Sequence, residues 1–142
     1  MFGTCIWAEF FSKHVFYRIN RDLSQHCKSQ IHNPHITLDY NVNSVDLNKY
    51  KLTELCKLGN IYQSSNKNFH SLQQDYLSND LILYHVSLAY KVDTKFTEKD
   101  IMFASTLNIP SIISPIELKV SVWECDSIYT KDWYEINQQS QS

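Results

Sequence analysis

Two six-residue stretches of this chain, His35-Ile36-Thr37-Leu38-Asp39-Tyr40 and His85-Val86-Ser87-Leu88-Ala89-Tyr90, share one pattern: His, an apolar residue, a hydroxyl, Leu, a free position, Tyr. The residue types suit phosphodiester cleavage. A neutral imidazole takes a proton from an attacking hydroxyl while a second, protonated imidazole gives one to the leaving oxygen. In an extended strand His and hydroxyl two residues apart share a face, so Thr37 and Ser87 stand beside their histidines and can hydrogen-bond the non-bridging phosphate oxygens. The scheme needs no metal and no cofactor, and the pattern leaves open whether His35 or His85 is the base. A strand His is often only structural, and one His-x-Ser/Thr arises by chance in a chain with six His. What sets this pair apart is the shared apolar residue, Leu and Tyr.

Both stretches need strands to display them. Ile36, Leu38 and Tyr40 alternate with His35, Thr37 and Asp39; Tyr84, Val86, Leu88 and Tyr90 alternate with Leu83, His85, Ser87 and Ala89. An aromatic-rich strand is expected over Thr4 to Phe11, with Ile6, Ala8 and Phe10 inward, and a helix over Tyr17 to Lys28. A further helix is expected from an N-cap at Ser44 to a stop at Gly59, carrying Val45, Leu47, Tyr50, Leu52, Leu55 and Leu58. Residues 60 to 79 read as one or two strands with a loop. Leu81 to Val92 is the second motif strand, Thr97 caps a short helix that stops before Pro110, and Ile116 to Cys125 is a last alternating strand. This order gives two βαβ-like halves, each with one motif, in a concave α+β domain whose two motif strands face each other.

The 142 residues fit one domain, with 43% hydrophobic and 20% charged residues placing it among globular chains. It reads as a whole small protein or one domain of a larger one, monomeric as a domain, with a flexible tail from about 136 to 142. A net charge of −2 provides no broad basic surface to track a long nucleic acid, so a nucleic-acid ligand should be short. Cys5, Cys27, Cys56 and Cys125 are scattered and form no CxxC, which points to reduced thiols, with Cys5, Cys56 and Cys125 as small buried residues. No apolar run approaches the roughly 20 residues of a membrane span.

The paired motifs, "HITL" and "HVSL", resemble those of the 2H phosphoesterase superfamily, which includes the bacterial and archaeal 2′-5′ RNA ligase-like proteins and cyclic phosphodiesterases. The resemblance runs from about Thr4 to Cys125. It implies a two-lobed fold of concave antiparallel sheets with outer helices around a central cleft, and His35, Thr37, His85 and Ser87 as catalytic residues. The small size and the Tyr- and Asn-rich, Gly-poor composition look most like the viral branch, which holds the coronavirus and torovirus phosphodiesterases and the C-terminal domain of the rotavirus capping enzyme. That likeness implies cleavage of short 2′-5′ linked oligoadenylate, denying host ribonuclease L its activator, in the host cytoplasm or within virions as part of a larger enzyme. Cyclic oligonucleotide signals and 2′,3′-cyclic phosphate RNA ends are the alternative substrates.

Residues around the motifs divide between binding and packing. On Leu118 to Cys125, Lys119, Ser121 and Trp123 share the face opposite Leu118, Val120 and Val122, so Trp123 can stack an adenine and Lys119 meet a phosphate, or both can be ordinary packing and solvation. Trp7 reaches either cleft or core. Arg18 is a candidate phosphate contact or a plain helix residue, and Asp39 orients a His or ends its strand in water. His26, Cys27, His32 and His35 are zinc-ligand types close in sequence, but they lack the second tight ligand pair of a structural site. The non-enzyme alternative is a binding module, either a sequestering protein for short nucleotides or an inactive structural domain of a larger viral enzyme.

Overall fold

The computed structural model describes residues 2–136; the expected flexible tail, beyond Ile136, lies outside the described residues. The chain is α+β; the described residues form an eight-stranded sheet with two α-helices, and every strand pairing among them is antiparallel. In chain order the elements are β1 (Thr4–Phe10), α1 (Val15–Cys27), β2 (His35–Asp39), β3 (Leu55–Asn66), β4 (Phe69–Ser78), β5 (Leu83–Val92), α2 (Glu98–Ser105), β6 (Ile112–Ile113), β7 (Leu118–Glu124) and β8 (Tyr134–Glu135). Across the sheet they lie in the order β6-β3-β4-β5-β2-β1-β7-β8. The two motif strands are therefore the central pair, flanked by β4 on one side and β1 on the other.

α1 forms because Phe16, Ile19, Leu23 and Cys27 recur at helical spacing and are buried together. His14 caps its start, the Nδ1 accepting from Phe16 N at 3.2 Å, and Lys28 closes it in the left-handed region. α2 starts at a reciprocal cap: Asp100 N donates to Thr97 Oγ1 and Thr97 N to Asp100 Oδ2. The main core joins α1 to the sheet face that carries Ala8, Phe10, Ile36, Val86 and Leu88. A second, smaller cluster lies elsewhere and is mostly aromatic: Trp7, Phe69, Tyr90, Trp123 and Trp133 with Cys5 and Cys125.

The helix expected from Ser44 to Gly59 does not form. Asp46, not Ser44, caps a single 3₁₀ turn at Leu47–Lys49, and the chain is extended from Leu55. The reason is tertiary: β3 pairs with β4 from Leu55↔Ser78 to Asn66↔Phe69, and that ladder overrides a weak helical periodicity. Gly59 is a bulge residue in this strand at φ 73°, where the pairing jumps between Leu58 and Tyr62 and Gln74 Nε2 donates to the Leu58 and Gly59 carbonyls. Cys56, expected to be buried, lies on this strand and is exposed. The second half also differs from a βαβ unit. β4 and β5 form a hairpin, and although α2 follows the motif strand as expected, the last strand β7 pairs with β1 and β8 instead of lying beside β5.

Candidate active site

β2 pairs with β5 through Ile36↔Val86, the middle residue of each His-x-hydroxyl unit. Carried one residue either way, an antiparallel register sets Thr37 across from His85 and His35 across from Ser87. Ile36 and Val86 are fully buried in the core, so their neighbours point to the other side. There His35, Thr37, His85 and Ser87 all line one cleft of about 550 Å³. The four residues singled out in the sequence are thus brought together by a local two-fold relation.

The same relation extends to the flanking strands. β1 sets Trp7 beside Thr37 and Glu9 beside His35; β4 sets Gln73 beside Ser87 and Asp75 beside His85. Each histidine has a carboxylate residue across its outer strand, but the two environments differ. Glu9 is buried and accepts from Ser121 Oγ at 2.9 Å, and Ser121 Oγ in turn accepts from Trp123 Nε1. Asp75 is half-buried, its Oδ1 lying 2.7 Å from the Tyr62 hydroxyl, and its negative charge favours the protonated form of His85.

Pairing registers also explain the Leu and Tyr of the motif. Between β1 and β2 the partners run Ile6↔Asp39 then Trp7↔Thr37, skipping Leu38; between β4 and β5 they run Leu72↔Ala89 then Gln73↔Ser87, skipping Leu88. Each motif Leu is the extra residue of a β-bulge, which reverses the in-out parity of the residues beyond it. Tyr40 and Tyr90, expected opposite the histidines, therefore line the cleft with them. Asp39 is turned off that face, where its carboxylate accepts from Tyr40 N and the Tyr50 hydroxyl.

The bulge at Leu88 is held by Asn20, to which the sequence alone assigned no role, and by His32, which it weighed only as a zinc-ligand type. His32 Nε2 donates to the Ser87 carbonyl at 2.9 Å, and Asn20 Nδ2 lies 3.2 Å from the Leu88 carbonyl and 3.0 Å from His32 Nδ1. Since a carbonyl only accepts, His32 carries its proton on Nε2, and Nδ1 accepts from Asn20. Burial lowers the His32 pKa to about 4, so the ring is neutral near pH 7. Asn20 had a readable signal: a polar residue one position after Ile19 and four after Phe16, on the apolar stripe of α1.

His35 is 4% exposed and stacked on Trp7, ring centroids 3.4 Å apart and planes 5° from parallel. Its Nδ1–H donates to the Asn33 carbonyl at 2.7 Å, which leaves Nε2 as a bare acceptor. Burial, with the nearby His32, holds its pKa well below the ordinary histidine value. His85 stands open to solvent on the cleft wall; burial of its surroundings lowers its pKa, and Asp75 opposes that shift.

The remaining candidates divide between the cleft and the packing around it. Trp7 lines the cleft but both its faces are covered, by His35 on one side and by Trp123 at 4.4 Å on the other, so neither ring is a free stacking platform on that shared side. Trp123, Lys119 and Arg18 are not among the residues lining the cleft; Trp123 is packed, Lys119 and Arg18 are exposed. Of the four zinc-ligand types, His26 stacks on Phe103, Cys27 Sγ donates to the Leu23 carbonyl, and His32 and His35 are engaged as described above. Cys5 and Cys125 are buried, as expected, against the cleft lining. No protein-family model matches the sequence, and no curated protein sequence matches it.

Proposed function

We propose that the chain is a 2H-type phosphodiesterase that cleaves by general acid–base transesterification without a metal, with short 2′-5′ linked oligoadenylate as its substrate. The observation that carries the chemistry is the register Ile36↔Val86, which assembles two histidines and two hydroxyls symmetrically in one cleft. The choice of substrate rests on the resemblance of "HITL" and "HVSL" to the viral branch of that superfamily, and so does the wider role of preventing ribonuclease L activation.

His35 is the base in this reading. Its neutral ring and bare Nε2 take the proton from the 3′-hydroxyl beside a 2′-5′ linkage, and the 3′-oxygen bonds to phosphorus. The bond from phosphorus to the departing 5′-oxygen breaks, and His85 protonates that oxygen. A bound phosphodiester adds its negative charge to that of Asp75 in favour of the protonated His85 that this step needs. Thr37 and Ser87 donate to the non-bridging oxygens. The products are a 2′,3′-cyclic phosphate and a free 5′-hydroxyl, and solvent exchange returns both histidines to their starting states.

The test is incubation with 2′-5′ triadenylate and its 3′-5′ isomer in EDTA, products resolved by chromatography and mass. Cleavage of the 2′-5′ isomer alone is expected, with a loss of about 10²–10⁴-fold in His35→Ala and in His85→Ala. Equal rates on both isomers would count against oligoadenylate, and undiminished activity in the variants would remove the mechanism.

A further inference from the structure

The walls of the cleft carry information about the ligand beyond its scissile bond. Apart from the two histidines, the polar groups lining it on the β3–β4 side are neutral: Ser64, Asn66, Ser71 and Gln73. Beside them the lining is aromatic, beginning with Phe69 at the start of β4. Phe69 and Tyr90 stack on one another at 5.0 Å, with Trp133 edge-on to Tyr90. Trp7 adds an indole N–H that is buried and has no hydrogen-bond partner among the described residues, a donor a ligand can satisfy. At the mouth, Tyr40 is 66% exposed and makes no ring contact among the described residues, whereas its counterpart Tyr90 is stacked. Asn41 lies next to it on the same lining. The described lining residues include a carboxylate, Asp126, and no lysine or arginine.

Binding several phosphate groups needs cations or converging backbone donors to offset their desolvation. A nucleobase needs the reverse: an aromatic face and neutral donors and acceptors for its edge. We propose that the cleft selects a ligand whose bound portion carries one phosphodiester charge, flanked by nucleosides held through neutral groups, one base stacking on Tyr40, and that it provides no subsite for a terminal 5′-polyphosphate. This rests on the proposed phosphodiesterase reading for the position of the phosphodiester and deepens it as to substrate. A 5′-polyphosphate on a longer oligonucleotide extends out of the cleft or weakens binding.

Calorimetry with 3′-deoxy 2′-5′ triadenylate, which lacks the attacking hydroxyl, tests this on the wild-type chain. The 5′-hydroxyl form is expected to bind at least as tightly as the 5′-triphosphate form, with less than about a threefold change in Kd between 50 and 200 mM salt, since few counterions are released. Tyr40→Ala is expected to weaken both forms about tenfold. Asn66→Lys, at an exposed position of the neutral wall, is expected to shift the ratio of affinities toward the triphosphate form by about threefold or more. A wild-type preference for the triphosphate form of tenfold or more, no binding of either form, or an unchanged ratio in Asn66→Lys overturns the proposal. Cleavage of the ordinary 2′-5′ trimer is measured in parallel. Preferential binding without cleavage removes the catalytic reading and keeps this one, and cleavage with triphosphate preference does the reverse.

Discussion

Acidification should destabilise this protein through His32 in a way one substitution can isolate. His32 is buried with a pKa of about 4, against about 6.5 in an unfolded chain. Between those values the unfolded chain binds the proton and the folded one does not, so stability rises with pH across the window and is lost as pH falls from about 6.5. The linkage relation gives a loss of about 2 kcal/mol between pH 7 and pH 5 from this residue. His35, whose pKa is depressed in the same direction, adds to the slope. His32→Gln keeps an amide donor for the Ser87 carbonyl but does not titrate. It should cost about 1 kcal/mol at pH 7 for the poorer hydrogen bonding and lose about 2 kcal/mol less than wild type on going to pH 5. The two stabilities should meet or cross near pH 5 to 6. Urea midpoints read from tryptophan fluorescence at both pH values measure this directly; for a urea slope of about 2 kcal/mol/M, the difference between the two shifts is roughly 1 M. Parallel shifts in wild type and variant would refute the buried, neutral His32 and with it the clamp on the Ser87 carbonyl.

The site itself yields two more expected outcomes. Removing the charge beside the candidate acid by Asp75→Asn should lower the His85 pKa further, so the alkaline limb of the kcat/KM profile on 2′-5′ triadenylate moves to lower pH; an unmoved limb would mean that His85 does not set it. Thr37→Val and Ser87→Ala each remove one donor to the phosphate and should lower kcat by about 10²-fold, with thermal melting changed little, whereas a change in KM alone would assign the hydroxyls to ground-state binding.

Chain-local patterns were enough for much of the scaffold. β1, β5 and β7 alternate or run apolar between turn residues, α1 has its apolar stripe, and α2 has the Thr97 and Asp100 cap, all readable in order along the sequence. The quartet His35, Thr37, His85 and Ser87 was legible because its members repeat a pattern whose period is that of a strand. The segment from Ser44 to Gly59 misled because its leucines fit a helix until β4 supplies a ladder from a different part of the chain. Trp7 could be placed on the correct strand face but not in a stack with His35 and Trp123, since the stack exists only when β2, β1 and β7 lie side by side.

The deeper reason that the motif was only half legible is parity. A strand without interruption puts residues separated by an odd number on opposite faces, so a pattern with His at the first position, hydroxyl at the third and Tyr at the sixth is self-contradictory as one functional face. The repeated Leu removes the contradiction. As the bulged residue it occupies an extra place on its strand, packs toward the core side with Ile36 or Val86, and lets the Tyr rejoin the cleft. A bulge leaves backbone carbonyls out of register with the partner strand, and these must be satisfied when buried. At Leu88 that task falls to Asn20 and His32, which is why a polar residue stands on the inner stripe of α1 and a neutral histidine behind the cleft. The six-residue repeat thus encodes a bent strand as much as a pair of reactive groups. The bend delivers histidine, hydroxyl and aromatic ring to the same side from each half of the sheet.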